Sequence, residues 1–408
     1  MNRKPRLLYL GHNLPYPPHE GALIRSYHTV RLLSEKFDLT GRYFFRRGTL
    51  PDAGARAQSV REMARFGPAV GHPIPQEWSR MRLVLDHLRS LASGTPYTRW
   101  MHRSAVFRAE VRRLIEIGGW DLVHVDSLDL SDLLPELNGI PVVLAHHNVE
   151  SSLLRRRAEA ETGLRKRYIL HQADLMEEAE RFWMPRVALN VVVSTEDETA
   201  FRRIAPEADT LVLPNGVDTA EFEPSDQAPE GGLLFVGGYS WFPNHDGMAY
   251  FAREILPLIR KEEPDIDVKW IGRAPDEAVG RFKDLGVEML GYVEDIREEM
   301  WRARCVIVPL RVGGGTRLKI LDAWSMGKAV VSTSRGCEGL EGRDGEDILI
   351  EDEPESFARA VLRVVRDERL REKLERGGRK TAENRFDWAV LGVRMRERYL
   401  EIIANGRP

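Results

Sequence analysis

The chain has 408 residues, of which 42% are hydrophobic and 30% are charged. This length exceeds one ordinary hydrophobic core and predicts two domains, and the composition excludes a disordered chain. The 60 Lys and Arg residues and 63 Asp and Glu residues give a net charge of −3, so charge provides no general basis for nucleic-acid binding. The two cysteines exclude a disulfide framework and a metal site of four cysteines.

The N-terminal stretch MNRKPRLLYLG places basic residues before an apolar run that covers only residues 7–10. That run is too short for the core of a signal peptide, and no other run approaches the length of a membrane span. We therefore expect a cytoplasmic protein.

Strand-like runs alternate with helical ones along the chain, which predicts α/β architecture with parallel sheets. In the first half, a helix is expected over residues 22–35, residues 50–118 read as mostly helical, and strands are expected at 6–11, 37–45, 121–125, 141–146, 190–194 and 211–213. In the second half, a helix is expected over about 388–403 and strands are expected at 233–236, 268–271, 287–290, 305–309, 329–333 and 348–350.

Unusual residues follow several of these strands at their carboxyl ends, where open parallel sheets bind their ligands. They are Gly11-His12, His146-His147-Asn148, Gly237-Gly238, Gly272-Arg273, Gly291-Tyr292 and the glycine triplet at 313–315. If two such sheets faced each other, these residues would line a common cleft.

The stretch at 309–327, PLRVGGGTRLKILDAWSMG, has the features of a phosphate site. Gly313, Gly314 and Gly315 allow close backbone approach, and Thr316 can cap a helix that runs to Gly327. Arg317 and Lys319 near the start of that helix oppose its dipole unless an anion binds there, while Asp322 could accept hydrogen bonds from sugar hydroxyls. The alternative is a glycine-rich turn with surface cations, in which Asp322 pairs with Lys319.

The second half resembles the nucleotide-sugar domain of retaining GT-B glycosyltransferases of the family 4 type. The resemblance rests on PNGVD at 214–218, LFVGGYSWFPN at 234–244, GYVED at 291–295, VPLRVGGGTRLKILDAWSMGKAVVST at 308–333 and CEGL at 337–340. The first half matches through the loop at Gly21 and the strand that ends in HHN. A branch with W-x-P-N and GGGxRxK patterns is associated with exopolysaccharide or cell-envelope glycan synthesis.

The resemblance implies two Rossmann-like domains that face each other across a cleft. Residues 1–222 would bind the acceptor and residues 223–387 the donor, and the C-terminal helix at 388–408 would cross back to the first domain. The implied reaction transfers a sugar, with retention of anomeric configuration, from a UDP- or GDP-sugar to a glycan, lipid-linked or small-molecule acceptor. No metal or other cofactor would be obligatory.

The resemblance also implies roles for individual residues. Asp322 stands where the family binds ribose hydroxyls, whereas Gly314 replaces the acid that usually touches the transferred sugar. Arg317 and Lys319 would hold the diphosphate, because the turn after the first strand of this domain lacks the usual Arg and Lys. In the first domain, His147 would contact the sugar or its phosphate, although His146 competes for this role, and Gly21 and Arg25 would belong to a loop for the acceptor or diphosphate. In the second domain, the donor would contact Gly238, Gly313, Gly315 and Thr316, and its base would contact Tyr292 and Val293.

Other interpretations stay open from the sequence. The absent acid also fits a non-catalytic module that binds a nucleotide sugar and partners an enzyme, and an epimerase or phosphorylase could share the architecture. Asp265-Ile266-Asp267 looks like a metal motif but precedes a strand, so we expect a surface feature. The basic runs at 155–157 and 165–167 form a solvated helix face or, alternatively, contact anionic lipid head groups.

Overall fold

The computed structural model describes residues 3–159, 161–313 and 317–406. The chain divides into two compact units. Unit 1 comprises Met1–Pro214 and Gly392–Pro408, and unit 2 comprises Asn215–Leu391. The boundary between the units falls after Pro214, whereas the resemblance implies a first domain that ends at residue 222. Residues 388–391 of the last helix belong to unit 2.

Unit 1 is built on a parallel sheet with the strand order β3-β2-β1-β4-β5-β6-β7. Its strands are β1 Arg6–Gly11, β2 Asp38–Phe45, β3 Ala69–Pro73, β4 Leu122–Val125, β5 Val142–Ala145, β6 Leu189–Val192 and β7 Thr210–Val212. Its helices are α1 Gly21–Ser34, α2 Ala53–Met63, α3 Arg80–Ser93, α4 Tyr97–Met101, α5 Ala105–Ile117, α6 Glu150–Glu159, α7 Gly163–Trp183 and α8 Thr195–Ile204, with 3-10 segments at Pro75–Trp78, Leu128–Leu137 and Met184–Arg186.

Unit 2 is built on a second parallel sheet, with the order β10-β9-β8-β11-β12-β13. Its strands are β8 Leu233–Val236, β9 Val268–Ile271, β10 Glu288–Gly291, β11 Cys305–Val308, β12 Val330–Ser332 and β13 Leu349–Ile350. The helices are α9 Phe242–Tyr250, α10 Leu256–Arg260, α11 Asp276–Asp284, α12 Arg297–Arg302, α13 Leu318–Ser325, α14 Pro354–Arg366 and α15 Glu368–Thr381, with π-helical turns at Phe251–Ile255 and Ala382–Phe386. The last helix, α16 Trp388–Ala404, begins in unit 2 and continues in unit 1 from Gly392.

The order of strands reverses inside each sheet, which opens a crevice at the carboxyl ends of the central strands. In unit 1 the reversal lies between β1 and β4, and in unit 2 it lies between β8 and β11. Strands β4, β5 and β11 are buried at every position, as expected for parallel strands covered by helices on both faces. The residues that follow these central strands are therefore placed where a ligand could reach them.

Two predictions about local structure need correction. Strand β3 lies within the region that the sequence predicts to be mostly helical, and it was missed because its sequence, AVGHP, contains a glycine and a proline and occupies the edge of the sheet. Helix α13 begins at Leu318, with Arg317 at the N-cap position, so the first helical turn does not contain Arg317. Gly314, Gly315 and Thr316 lie outside the described residues.

The C-terminal helix was predicted over about 388–403, and α16 runs from Trp388 to Ala404. From Gly392 onward it packs in unit 1, where the Arg396 guanidinium donates to the Leu32 carbonyl at 3.2 Å and pairs with Glu35. Within the part of the chain that the structure describes, no helix combines the length and apolar character needed to cross a membrane.

Candidate functional site

In unit 2, two glycine turns approach each other beyond the ends of β8 and β9. Gly237 and Gly272 have φ angles of +154° and +159°, a region that side chains rarely adopt. A Cβ atom on Gly272 would lie 2.1 Å from the carbonyl oxygen of Gly237. Only glycine therefore allows these two backbone segments to lie so close together.

Asn244 of the W-x-P-N motif connects this turn to Lys319. Its amide nitrogen donates to the carbonyl of Gly238 at 2.8 Å, and its amide oxygen accepts a hydrogen bond from the Lys319 ammonium at 2.8 Å. The ammonium also lies 2.8 Å from the position that a Cβ atom on Gly237 would occupy. Lys319 therefore reaches from α13 to the turn after β8, where the sequence itself supplies no cation.

The Lys319 ammonium is in an unusual electrostatic environment. Burial, together with the positive charge of Arg317, lowers the pKa of Lys319 well below its ordinary value. Its other close contact is the Phe235 ring, whose centroid is 3.9 Å away. Among the described residues, Lys319 forms no ion pair.

The Arg317 side chain is buried, with 3% of its surface exposed. Its guanidinium donates to the Arg335 carbonyl at 3.2 Å, lies 4.0 Å from the Glu338 carboxylate and faces the Trp241 ring at 5.9 Å. One guanidinium nitrogen is 3.3 Å from the position of a Cβ atom on Gly313. Arg317 is thus held against the beginning of the glycine triplet.

Asp322 does not pair with Lys319, so the ion-pair interpretation of these two residues is wrong. The Lys319 ammonium instead binds Asn244, and Asp322 has no side-chain hydrogen bond in the described part of the chain. Burial and, secondarily, the charge of Glu221 raise the pKa of Asp322 to about 7. The carboxyl group is therefore free to bind a polar ligand.

The other predicted donor residues lie at the same edge of the sheet. Gly238 is the second residue after β8, and the nearest atom to a Cβ there would be the Ser240 hydroxyl oxygen at 4.0 Å. Tyr292 and Val293 follow β10, which is separated from β8 by β9. The Tyr292 ring is 62% exposed and stacks against the Arg273 guanidinium at 4.5 Å.

In unit 1, a buried carboxylate lies among three histidines. Asp126 follows β4 and accepts a hydrogen bond from the Ser26 hydroxyl at 2.7 Å. Its carboxylate oxygens are 3.3 Å from a ring nitrogen of His12, 3.6 Å from one of His147 and 3.7 Å from one of His124. Burial raises the pKa of Asp126, but these histidines outweigh it and hold that pKa well below its ordinary value.

The two neighbouring histidines at the end of β5 have different environments. His146 is buried, bonds to Asn190 at 3.0 Å and packs against Phe201, and burial lowers its pKa to about 4. His147 instead contacts the Asp126 backbone carbonyl through its Nε2 atom at 2.9 Å, and its Nδ1 atom is buried without a hydrogen-bond partner in the described residues. His147 is therefore the one that belongs to the polar cluster.

Gly21, predicted to lie in the loop before a helix over residues 22–35, is the first residue of α1. Arg25, one turn later, is buried, and its guanidinium donates to the Leu213 carbonyl at 2.8 Å. Burial lowers the pKa of Arg25 despite the nearby Asp126 carboxylate. This cation thus packs inside unit 1 instead of standing at an exposed helix start.

The sequence reasoning missed the grouping of His12, Asp126 and His147. One ligand atom from each of these residues lies within 4.8 Å of the others, a geometry that could hold a metal ion. The three residues follow β1, β4 and β5 and are far apart in sequence. Asp126 could have been found by the strand-end rule that singled out His12 and His147, because it comes directly after the apolar run of β4.

Family models match both halves of the chain. A model described as Glycosyltransferase Family 4 matches residues 62–221, and one described as Glycosyl transferases group 1 matches residues 230–367. Each half of the chain therefore resembles a glycosyltransferase domain.

Solved structures agree with the fold. Sucrose-phosphate synthase from Thermosynechococcus elongatus aligns with a TM-score of 0.73 and 15% identity, covering 98% of this chain and 100% of that one. HepE of Anabaena, in complex with UDP-glucose, aligns with a TM-score of 0.64 and 14% identity, covering 98% and 99%. The chain therefore has the GT-B fold, with two Rossmann-like domains.

Two curated relatives match smaller shares of the chain than these structures do. An uncharacterised protein of the cps region of Klebsiella pneumoniae is 27% identical over 139 residues, which span 32% of this chain and 36% of the relative. D-inositol 3-phosphate glycosyltransferase of Acidothermus cellulolyticus is 27% identical over 323 residues, covering 71% and 70%. The match thus spans about a third of the first relative and more than two thirds of the second.

Proposed function

We propose that this protein is a glycosyltransferase that moves a sugar, of the hexose type, from a UDP- or GDP-sugar to a glycan, lipid-linked or small-molecule acceptor with retention of anomeric configuration. The observation that carries the proposal is the pair of cations, buried Arg317 and half-buried Lys319, beside the glycine turns of unit 2. Buried charges are costly unless they are compensated. Among the described residues Lys319 forms no ion pair, so a diphosphate would supply the negative charge that this ammonium lacks and would add a partner for Arg317.

The same cations have a direct role in the proposed reaction. As the bond from the sugar to the diphosphate breaks, negative charge grows on the leaving diphosphate. Arg317 and Lys319 would stabilise this charge more strongly in the transition state than in the ground state, which is the requirement for catalysis. A phosphate oxygen then deprotonates the acceptor on the same face, so the reaction needs neither a carboxylate base nor an obligatory metal.

The other residues at the edge of the unit 2 sheet complete the proposed donor site. Asp322 would accept hydrogen bonds from the ribose hydroxyls, and the backbone at Gly238 and Gly313 would approach the phosphates. Tyr292 and Val293 would hold the base. Gly314, Gly315 and Thr316 remain predicted phosphate contacts.

Unit 1 would supply the acceptor side. His147 is proposed to contact the transferred sugar or its phosphate, and Asp126 would fix the ring through the contacts described above. Gly21 would give the acceptor or diphosphate access to the backbone, with Arg25 supporting the same region from inside the unit. The cps-region relative supports a place in exopolysaccharide or cell-envelope glycan synthesis.

The donor class is supported by the solved neighbour. HepE is described in complex with UDP-glucose and has the same fold over nearly its whole length. The D-inositol 3-phosphate glycosyltransferase further supports glycosyl transfer as the reaction class.

Replacement of Lys319 tests the proposal. We expect Lys319→Met to lower the release of UDP or GDP from a panel of nucleotide sugars by roughly 10²-fold, because one preorganised charge on the leaving group is lost. Methionine fills a buried site well, so the fold should be retained. Lys283→Met, an exposed lysine on α11, is the matched control and should keep full turnover.

Equal turnover of Lys319→Met and the wild type would overturn the assignment of the cations. Absence of turnover with every nucleotide sugar, in a wild-type protein that still binds UDP or GDP, would favour the non-catalytic module. The anomeric configuration of the product, read by NMR, tests retention separately.

A further inference from the structure

Helix α3 has its polar side buried and its apolar side exposed. Asp86 and Ser90 have no exposed surface, although both are polar. We call the opposite face the α3 stripe; its members and their exposed fractions are Met81 73%, Val84 57%, Leu85 39%, Leu88 56% and Leu91 50%. The spacing of i, i+3, i+4, i+7 and i+10 places these side chains on one face of the helix.

The buried face of α3 is fixed by specific polar contacts. The Asp86 carboxylate accepts hydrogen bonds from Arg82 at 2.8 Å and from Arg89 at 3.0 Å. The Ser90 hydroxyl donates to the Thr95 carbonyl at 2.8 Å and accepts from Gln172 at 2.9 Å. The Arg82 guanidinium also donates to the Arg103 carbonyl at 2.9 Å. The bonds to Gln172 and Arg103 hold this face against neighbouring elements, which leaves the α3 stripe facing outward.

Helix α7 adds basic residues beside this stripe. His87 of α3 shares a hydrogen bond of 2.5 Å with Tyr168, and Gln172 donates to Ser90 at 2.9 Å, so α7 contacts α3 at these two residues. One turn before Tyr168, α7 begins with the sequence GLRKRY, in which Leu164 is 81% exposed. Lys166 and Arg167 immediately precede Tyr168, so this basic segment adjoins His87, the residue before Leu88 of the α3 stripe.

The charges around the α3 stripe are predominantly positive. Arg80, Lys166 and Arg167 are exposed and form no ion pair within the described ranges. Arg165 pairs with Glu161 at 3.0 Å. A helix face of Met, Leu and Val with arginine and lysine beside it is the composition that binds the interface of anionic membranes.

We propose that the α3 stripe, with the basic start of α7, docks unit 1 on an anionic lipid bilayer. The apolar side chains would enter the boundary of head groups and acyl chains, and Arg80, Lys166 and Arg167 would contact lipid phosphates. A second copy of the chain fits less well, because stripe-to-stripe contact would bring two positive rims together. The inference concerns lipid binding alone and does not depend on the proposed sugar transfer.

Vesicle co-sedimentation of the full chain tests this docking. We expect the wild type to bind vesicles of phosphatidylcholine mixed with phosphatidylglycerol, to bind pure phosphatidylcholine weakly, and to be released as salt rises. Met81→Ser combined with Leu88→Ser should weaken binding at least about tenfold, because buried apolar area is lost. Lys166→Glu combined with Arg167→Glu should weaken it at least about tenfold through charge.

The matched control carries Ile117→Ser and Arg113→Glu on α5, where Ile117 is 62% exposed. This variant should bind as the wild type does. All substitutions are at exposed positions, so thermal unfolding should be unchanged. Equal vesicle binding of the wild type and the stripe variant would overturn the proposal, as would a stripe-dependent dimer that shows no lipid binding.

A fluorophore on the α3 stripe reports directly whether this face enters the bilayer. Both natural cysteines, Cys305 and Cys337, are buried, so a cysteine introduced at an exposed position can be labelled selectively. An environment-sensitive dye on Leu88→Cys should brighten with anionic vesicles, whereas the same dye on Ile117→Cys should not. A Leu88→Cys signal that stays unchanged while the protein binds vesicles would place the docking surface elsewhere.

Discussion

At the scale of single residues, Lys319 and Arg317 place two positive charges in the interior of unit 2. A lysine in such a place favours its neutral form, since desolvation and a like charge both disfavour the ammonium. Asn244 accepts one hydrogen bond from the ammonium but provides no full negative charge. An arriving diphosphate would favour the charged form and so shift the pKa of Lys319 back toward its ordinary value.

The pKa of Asp322 is shifted in the opposite direction to that of Lys319, because burial and, secondarily, the charge of Glu221 raise it to about 7. Its folded-state pKa exceeds the unfolded value, so its contribution to folding stability is present at low pH and is lost as pH rises toward about 7. A carboxylate that accepts hydrogen bonds from ribose requires the deprotonated form. Ribose binding through Asp322 should thus strengthen above that pH.

We predict that the advantage of the wild type over Asp322→Asn in UDP affinity increases as pH rises through about 7. Calorimetric titrations from acidic to mildly alkaline pH would measure it. The effect of Lys319 is common to both proteins and cancels in the ratio of their affinities. A ratio that is independent of pH would remove Asp322 from the donor site.

Asp126 shows how a residue can define a site without a local motif. Its carboxylate contacts side chains that follow different strands, and its backbone carbonyl orients His147. A buried carboxylate of this kind is stable only because its neighbours compensate its charge. The cluster therefore depends on the order of β1, β4 and β5 in the sheet.

At the scale of elements, the turns after β8 and β9 position the donor site. Gly272 must lack a side chain because its Cβ position coincides with the Gly237 carbonyl. The Gly237 turn in turn contacts Asn244 and Lys319. A displacement of either turn would consequently shift Lys319.

We predict that Gly272→Ala destabilises the protein by about 1–3 kcal/mol, the usual cost of overpacking, and weakens UDP binding. Gly280→Ala is the control, because a Cβ atom there meets nothing within 4 Å on the surface of α11. That change should stabilise the protein by roughly 0.5–1 kcal/mol and leave UDP binding intact. Chemical unfolding and calorimetry measure both quantities, and unimpaired UDP binding by Gly272→Ala would contradict the role of this turn.

At the scale of the whole molecule, the two units have separate cores and separate sheets. A ligand that binds only the folded form of unit 2 should stabilise that unit. At a hundredfold excess over its dissociation constant, the gain is about 2.7 kcal/mol.

We predict that UDP slows hydrogen exchange in unit 2, chiefly in β8, α9 and α13, while β4 and β5 of unit 1 exchange at their original rates. Mass spectrometry of the full chain measures this, and Lys319→Met should show reduced protection. Protection that appears first around Asp126 and His147 would instead assign the nucleotide to unit 1.

The sequence by itself determined the α/β class, most strands and the glycine turns. Parallel strands such as β4 and β11 are buried on both faces, so their continuous apolar runs were recognisable without a partner. Edge strand β3 lacked that run. Gly272 and Gly313 were recognisable because a glycine requirement is a local backbone property.

Only the tertiary structure decided which polar groups meet. Lys319 donates to Asn244 and does not pair with Asp322, and Arg25 donates to the Leu213 carbonyl. The Asp126 carboxylate lies close to three histidines. These contacts join residues that are distant in sequence, and they depend on the order of strands and the direction of each side chain. Local sequence patterns indicate burial and turns, whereas the electrostatic partners of a residue are set when separate elements pack. For this reason the cations Arg317 and Lys319 were predicted but the residues around them were not.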